Sequence, residues 1–163
     1  MRWPTHQVFG LGVGLLARLS PFGLVLVLVG AILPDLLDQC WAALRAGSRA
    51  SQQKLFARMH RGISHWFGLW LMPLFFVREL PVWSVEAFQA LCLGALTHLL
   101  LDALTPMGIP LLPLLSKPRL ACPLCRTGSW TEGVIFLLLC FGLVLLLVQH
   151  FAAWPLPTIS WRF

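Results

Sequence analysis

Long unbroken apolar runs, each bounded by a compact polar cluster, limit this chain to very few folds. The run from Phe22 to Leu33 leads into Pro34-Asp35-Leu36-Leu37-Asp38. His60-Arg61-Gly62-Ile63-Ser64-His65 opens another, and a further run ends in His98-Leu99-Leu100-Leu101-Asp102-Ala103-Leu104-Thr105-Pro106. Apolar residues that follow one another without alternation fit lipid-embedded helices, not the strands of a membrane barrel, whose two faces alternate. The residue balance agrees: 58% are hydrophobic and 11% charged, with a mean hydropathy of +0.81, whereas about a quarter of a soluble domain is charged. The chain therefore reads as an integral membrane protein. A span takes roughly 20 apolar residues, so 163 residues allow four or five crossings. The expected fold class is all-α, a polytopic helical membrane bundle of about five apolar segments in one domain over residues 1–163.

Those segments cover about 7–17, 22–37, 65–77, 85–104 and 133–148. The first is short for a full crossing, which predicts a tilted, re-entrant or half-buried helix. Arg2 ahead of it resembles a secretory signal, but Ala17-Arg18-Leu19-Ser20-Pro21 lacks a small-x-small cleavage pattern, so a retained helix is expected. Ser20-Pro21 is a helix start. A polar stretch runs from Gln39 to Arg61. Pro73 predicts a kink in the third segment, which stops at Arg78-Glu79-Leu80-Pro81.

If the segments alternate in direction, Arg2, Arg45, Arg49, Lys54, Arg58, Arg61, Lys117, Arg119 and Arg126 share one face and Arg18, Arg78 and Arg162 the other. That bias assigns the first face to the cytoplasm of a bacterial-type inner membrane. The net charge of +6 is then accounted for by topology and anionic headgroups, making membrane lipid the expected partner. No nucleic acid is expected, because the basic residues adjoin membrane segments and lack a recognition motif.

The same alternation puts His6, Asp35, Asp38, His60, His65, His98, Asp102 and Glu132 on the cytoplasmic face and leaves His150, Glu79 and Glu86 for the other. Ionisable groups at membrane depth are costly and usually functional. His98 and Asp102 are four apart, on one helix face, as two ligands of one metal or a ligand and its orienting carboxylate would be. A buried hydrogen bond that merely ties helices together is the alternative. Gly62 between His60 and His65 allows a tight helix entry and close backbone approach, although a His-Arg pair at an interface can also simply meet headgroups. Pro34-Asp35 is also an ordinary turn or helix-end sequence, and His6 taken singly carries little.

Taken together, an early His, Leu-Pro-Asp, His-Arg-Gly-Ile-Ser-His and His-Leu-Leu-Leu-Asp-Ala-Leu-Thr-Pro-Met-Gly-Ile-Pro-Leu-Leu resemble the YdjM-like family of predicted inner-membrane metal-dependent hydrolases. The resemblance runs from His6 to about Pro113 and on towards Glu132, and implies His6, Asp35, His60, His65, His98 and Asp102 as the polar motif positions. The family pattern has Asp-x-Asp-His after Leu-Pro. Here Leu37 stands at the second Asp and Asp38 at the His, so no ligand role carries over to Asp38. The family is distantly similar to helical zinc phospholipases C and zinc nucleases, which by analogy implies phosphoester substrates.

Imidazole with carboxylate suits Zn, Mn or Fe better than Mg or Ca. Six candidates exceed the three protein ligands of a usual catalytic zinc, which predicts one or two ions or a shell of supporting groups. The expected activity is hydrolysis by ion-activated water at the membrane face, on a lipid or other amphiphile, with Asp35 or Asp102 taking the proton and Arg61 holding an anionic substrate. Two rivals stand beside it. A metal-ion or small-solute transporter would place its polar groups near the midplane in broken helices, and a non-catalytic adaptor would use the His-Asp network only for cohesion. Cys40, Cys92 and Cys140 read as apolar fillers. Cys122-Pro123-Leu124-Cys125 is a lone CxxC, a weak signal for an accessory metal or redox role, and the eight Trp read mostly as interfacial anchors.

Overall fold

The computed structural model describes residues 1–76, 81–112 and 118–152, with side chains described at 1–75, 81, 84–112 and 118–149. Val77, Arg78, Glu79, Leu80, Pro113, Lys117 and Arg162, and the His150 side chain, lie outside the described residues. Seven α-helices form: α1 (Trp3–Leu16), α2 (Pro21–Gly30), α3 (Leu33–Arg45), α4 (Arg49–Met59), α5 (Phe67–Phe76), α6 (Val82–Ala103) and α7 (Trp130–Ala152). A 3₁₀ turn at Ile63–His65 precedes α5, and a two-stranded ribbon pairs β1 (Ile109–Pro110) with β2 (Arg119–Leu120) antiparallel, Ile109 opposite Leu120.

Each expected apolar segment holds helix, but among the described residues helix length yields two crossings, or three, and not five. Ser84–Ala103 and Trp130–Gln149 are long and apolar enough to cross a membrane. The pair α2–α3, bent by 50°, makes a third if it acts as one span. With 14 and 10 residues, α1 and α5 reach only about 21 and 15 Å against a hydrocarbon core of roughly 30 Å. The polar stretch after Gln39 is itself helical, completing α3 and forming α4. Pro73 lies inside α5, which continues past it to Phe76.

Central to the packing is α6, flanked by α1, α2 and α5, while α7 lies against α1. Small residues allow the closest of these approaches. A Cβ on Gly30 would overlap the Leu91 carbonyl oxygen, and one on Gly94 the Val27 carbonyl oxygen, so the α2 and α6 backbones touch where these glycines face each other. Where apolar surface gains little by leaving lipid, such close backbone packing is a principal source of helix cohesion. Leu137, Leu138, Phe141, Val144 and Val148 leave one side of α7 exposed and wholly apolar, as a lipid-facing side is.

The break between α2 and α3 follows from Pro34. Lacking an N–H, it cannot bond the Gly30 carbonyl and serves better as an early residue of a new helix. The Ser20 hydroxyl accepts from the Gly23 amide and caps α2. Glu86, near the start of α6, accepts from the Ser20 amide at 2.9 Å. Twelve residues of helix separate it from His98, about 18 Å along the axis.

Candidate metal centre

Four stretches of chain converge at the C-terminal end of α6. From α6 itself come His98 and Asp102, one turn apart, with His98 Nε2 3.6 Å from Asp102 Oδ2. The first turns of α3 bring Asp35 and Asp38, three apart and on one face. His60 and His65 come from the link between α4 and the 3₁₀ turn, and His6 from α1. His6, Asp35, Asp38, His65, His98 and Asp102 are buried, and His60 is half-buried.

The link reverses direction at Arg61, whose φ of 63° is left-handed, a conformation that costs a non-glycine residue on the order of 1 kcal/mol. Gly62, expected to give the tight entry, has φ −89° and contributes close approach instead: a Cβ there would lie 2.9 Å from the Met59 carbonyl oxygen. This turn lets two imidazoles five residues apart face the same carboxylate.

Asp35 Oδ1 is 3.4 Å from His65 Nε2 and 3.6 Å from His98 Nε2, and Asp102 Oδ2 is 3.7 and 3.6 Å from the same two nitrogens. Four donor atoms thus form a closed ring of near-equal separations, each longer than the 2.7–3.2 Å or so of an N–H···O hydrogen bond. Edges of this length are compatible with ligands that share one ion at about 2.0–2.2 Å. A mixed imidazole and carboxylate set is one that could hold a divalent ion, and its nitrogen donors suit Zn, Mn or Fe better than the all-oxygen shells of Mg or Ca. His60 Nδ1 extends the set, 3.6 Å from Asp35 Oδ1 and 3.5 Å from Asp38 Oδ2.

Unpartnered atoms point to the same place. Among the described residues, the buried side-chain N and O atoms without a hydrogen bond are His6 Nδ1, Asp35 Oδ1, His60 Nδ1, Arg61 Nε, His65 Nε2 and His98 Nε2. Buried polar groups are rarely left so, because each costs roughly 1–3 kcal/mol. Arg61 Nε lies 3.0 Å from Asp102 Oδ2 as an ion pair; the other five are imidazole nitrogens and a carboxylate oxygen of this cluster, whose lone pairs a cation would satisfy. Two groups have the compactness to hold an ion: His6, His98 and Asp102, and Asp35, His60 and His65.

Supporting bonds fix which nitrogen faces inward. His98 Nδ1 lies 2.7 Å from the Ala31 carbonyl, which the helix break leaves available, so Nδ1 donates and Nε2 keeps its lone pair. The Ser64 hydroxyl donates to Asp38 Oδ1 and accepts from His65 Nδ1 at 2.9 Å, with the same result for His65. Asp38 also accepts from the Arg61 amide at 3.1 Å, making it an orienting carboxylate. The Trp3 indole donates to Asp35 Oδ2 at 2.8 Å, and that of Trp70 to the Ser64 carbonyl at 2.7 Å, so these two tryptophans brace the site beyond any anchoring role. The His6 ring stacks on His98 with centroids 3.9 Å apart, while its Nε2 lies 3.2 Å from the Met1 carbonyl and 3.5 Å from Asp102 Oδ1.

All six metal candidates read from the sequence therefore lie in one cluster, with His6 meeting it through ring stacking and Asp102. Arg61 is buried, with Nε 3.0 Å from Asp102 Oδ2 and one terminal nitrogen within reach of Thr105 Oγ1 at 2.6 Å and the Gly108 carbonyl at 3.3 Å. Burial pulls its pKa below the usual arginine value, and Asp102 is the main opposing influence. Glu132 is buried outside the cluster, accepting from the Arg2 and Gly128 amides and the Thr5 hydroxyl to tie α1 to α7. Cys122 and Cys125 are free thiols, and their segment closes α6: the Cys122 and Cys125 amides donate to the Ala103 and Leu104 carbonyls. Ser64 and Thr105 lie inside motifs already singled out, yet spacing gives neither a role; a hydroxyl beside a ligand histidine is the signal that could have found Ser64.

Among known proteins, the family model described as YdjM inner membrane protein matches residues 1–158. No curated protein and no solved structure matches the chain.

Proposed function

The chain belongs to the YdjM inner membrane protein family, and from that premise we propose that it is a multi-pass, membrane-bound, metal-dependent hydrolase. Its centre lies at the cytoplasmic face and acts on a phosphoester or lipid-like substrate. The observation that carries this reading is the closed ring of Asp35 Oδ1, His65 Nε2, Asp102 Oδ2 and His98 Nε2, with three of the four atoms lacking any hydrogen bond. A divalent ion of the Zn class held there would acidify water and polarise the scissile bond.

The chain's own residues divide the remaining work. Asp102 has the Arg61 guanidinium at Oδ2 and the Met1 amine at Oδ1, 2.9 Å away, so it is held in place and suits a fixed ligand. With Asp102 so fixed, Asp35 is the better proton acceptor of the two, in which role the ion would be held by His65, His98 and Asp102. His60 stands between Asp35 and Asp38 at the partly exposed edge of the cluster, where it can pass a proton outward. Arg61 positions Asp102 and the turn after α6.

One observation favours transport: the α2–α3 pair breaks directly beside Asp35, as helices do around transported ions. Against that, Asp102 is one residue from the end of α6, which supports a surface centre over a midplane one.

The test is metal analysis of the purified protein, with turnover of a fluorogenic phospholipid and a soluble phosphodiester. We expect one or two bound divalent ions, near-complete loss in a His60→Ala, His98→Ala variant, and turnover that chelation abolishes and metal restores. His98→Ala and Asp102→Ala should each lose at least about 100-fold in turnover with helical content intact. A metal-free wild-type protein, or unfolding in place of inactivation, would overturn the proposal; metal uptake into proteoliposomes without turnover would establish the transporter.

A further inference from the structure

A cavity of about 550 Å³ opens beside His60 and Asp38 and is built from two chemistries. Its apolar wall is Leu37 and Trp41 of α3, Met59, Ile63 and Leu69, each at least a third exposed. Its charged side carries Arg58, Arg61 and Arg119, against the single carboxylate of Asp38. Arg119 arrives through the β1–β2 ribbon, opposite Pro110, and donates to the Met107 carbonyl at 3.1 Å. Gly108 permits that ribbon: its φ is +60°, and a Cβ there would overlap the Leu120 carbonyl oxygen.

The wall continues beyond the cavity. Leu37, Trp41 and Leu44 recur at helical spacing along α3 and are all exposed, which forms an apolar stripe leading outward from the charged recess. At the inner end, His60, Asp38, Ser64 and Arg61 belong both to the cavity and to the carboxylate–imidazole cluster. A pocket with an exposed apolar side, an excess of guanidinium groups and a continuous path to the cluster matches one ligand type: an alkyl chain ending in an anionic head.

Resting on the hydrolase reading for its use but on the cavity alone for its existence, we infer that this recess binds an anionic amphiphile. Its phosphate-type head lies between Arg58 and Arg119, and its chain lies on Trp41, Leu37 and Met59. Arg58 is exposed on α4 and makes none of the contacts that tie Arg61 into the site, so the two outer arginines select the head while Arg61 holds Asp102.

Calorimetric titration of the full chain in a neutral maltoside detergent tests this, with dodecyl phosphate, inorganic phosphate and dodecyltrimethylammonium as probes. Saturable binding of dodecyl phosphate is expected, at least about tenfold tighter than either other probe. Arg58→Gln, Arg119→Gln should lower that affinity by roughly tenfold or more, and Arg58→Gln alone by a smaller factor, whereas the charge-matched Arg18→Gln, Arg126→Gln should leave it unchanged. Trp41→Ala should weaken dodecyl phosphate and not inorganic phosphate.

Equal loss in the two double variants would mean diffuse attraction to a basic protein and would overturn the inference. Equal affinity for inorganic phosphate would make the recess a free-phosphate site, and equal affinity for the cation an unselective apolar groove; either result also overturns it. Repeating the titration on chelated protein separates the two readings. Dodecyl phosphate binding by a protein that never holds metal leaves the recess and removes the hydrolase. Metal bound without a dodecyl phosphate site does the reverse.

Discussion

Ser64 shows how much of this centre depends on groups that are not ligands. Its hydroxyl donates to Asp38 and accepts from His65, so one atom sets the tautomer of an imidazole and the position of a carboxylate. Removing such a supporting bond typically weakens metal binding by about 10–100-fold. Ser64→Ala should therefore lower affinity by that factor in a competitive chelator titration while leaving the ligand set intact; unchanged affinity would mean that packing alone orients His65. The same dependence explains what was legible residue by residue. His98 and Asp102 declare themselves by spacing on one helix, and His60 and His65 by sharing a motif. The left-handed turn at Arg61 did not show, because an arginine there carries no local signature of positive φ; the glycine beside it drew the expectation instead.

At the scale of elements, the centre depends on how closely α2 and α6 approach. Gly94 and Gly30 each face the other helix's backbone, so Gly94→Ala should destabilise the protein by at least about 1–3 kcal/mol, as overpacking does, and should loosen metal binding with it. A methyl group added at Gly142 on α7 would meet no other atom within 4 Å, so Gly142→Ala should be neutral or slightly stabilising by helix propensity, worth up to about 1 kcal/mol. Thermal unfolding of the two variants in one detergent compares them directly. Hydropathy revealed each apolar segment but not this crossing, since a glycine in an apolar run looks the same whether it faces lipid or another backbone. It did mark the first segment as short for a full span, in line with the 14 residues of α1, but did not reveal that the stretch after Gln39 folds into helix.

Taken whole, the molecule gathers its imidazole–carboxylate cluster at one end of α6 and leaves one side of α7 exposed and apolar. The sequence expectation of alternating segments assigns that end to the cytoplasmic side, and Cys122 offers a direct check, being an exposed thiol on the loop that closes α6. In a variant whose only cysteine is Cys122, an impermeant maleimide should label inside-out vesicles and spare right-side-out ones; the opposite pattern would reverse the assigned topology. The corner at Ala31 has a wider consequence. Because the carbonyl that orients His98 is available only where the α2 axis gives way to α3, the pose of one imidazole is geared to the angle between two helices. Straightening that joint would withdraw the carbonyl and let the ring swing, so a change of angle at this corner would reach the cluster without touching any carboxylate in it.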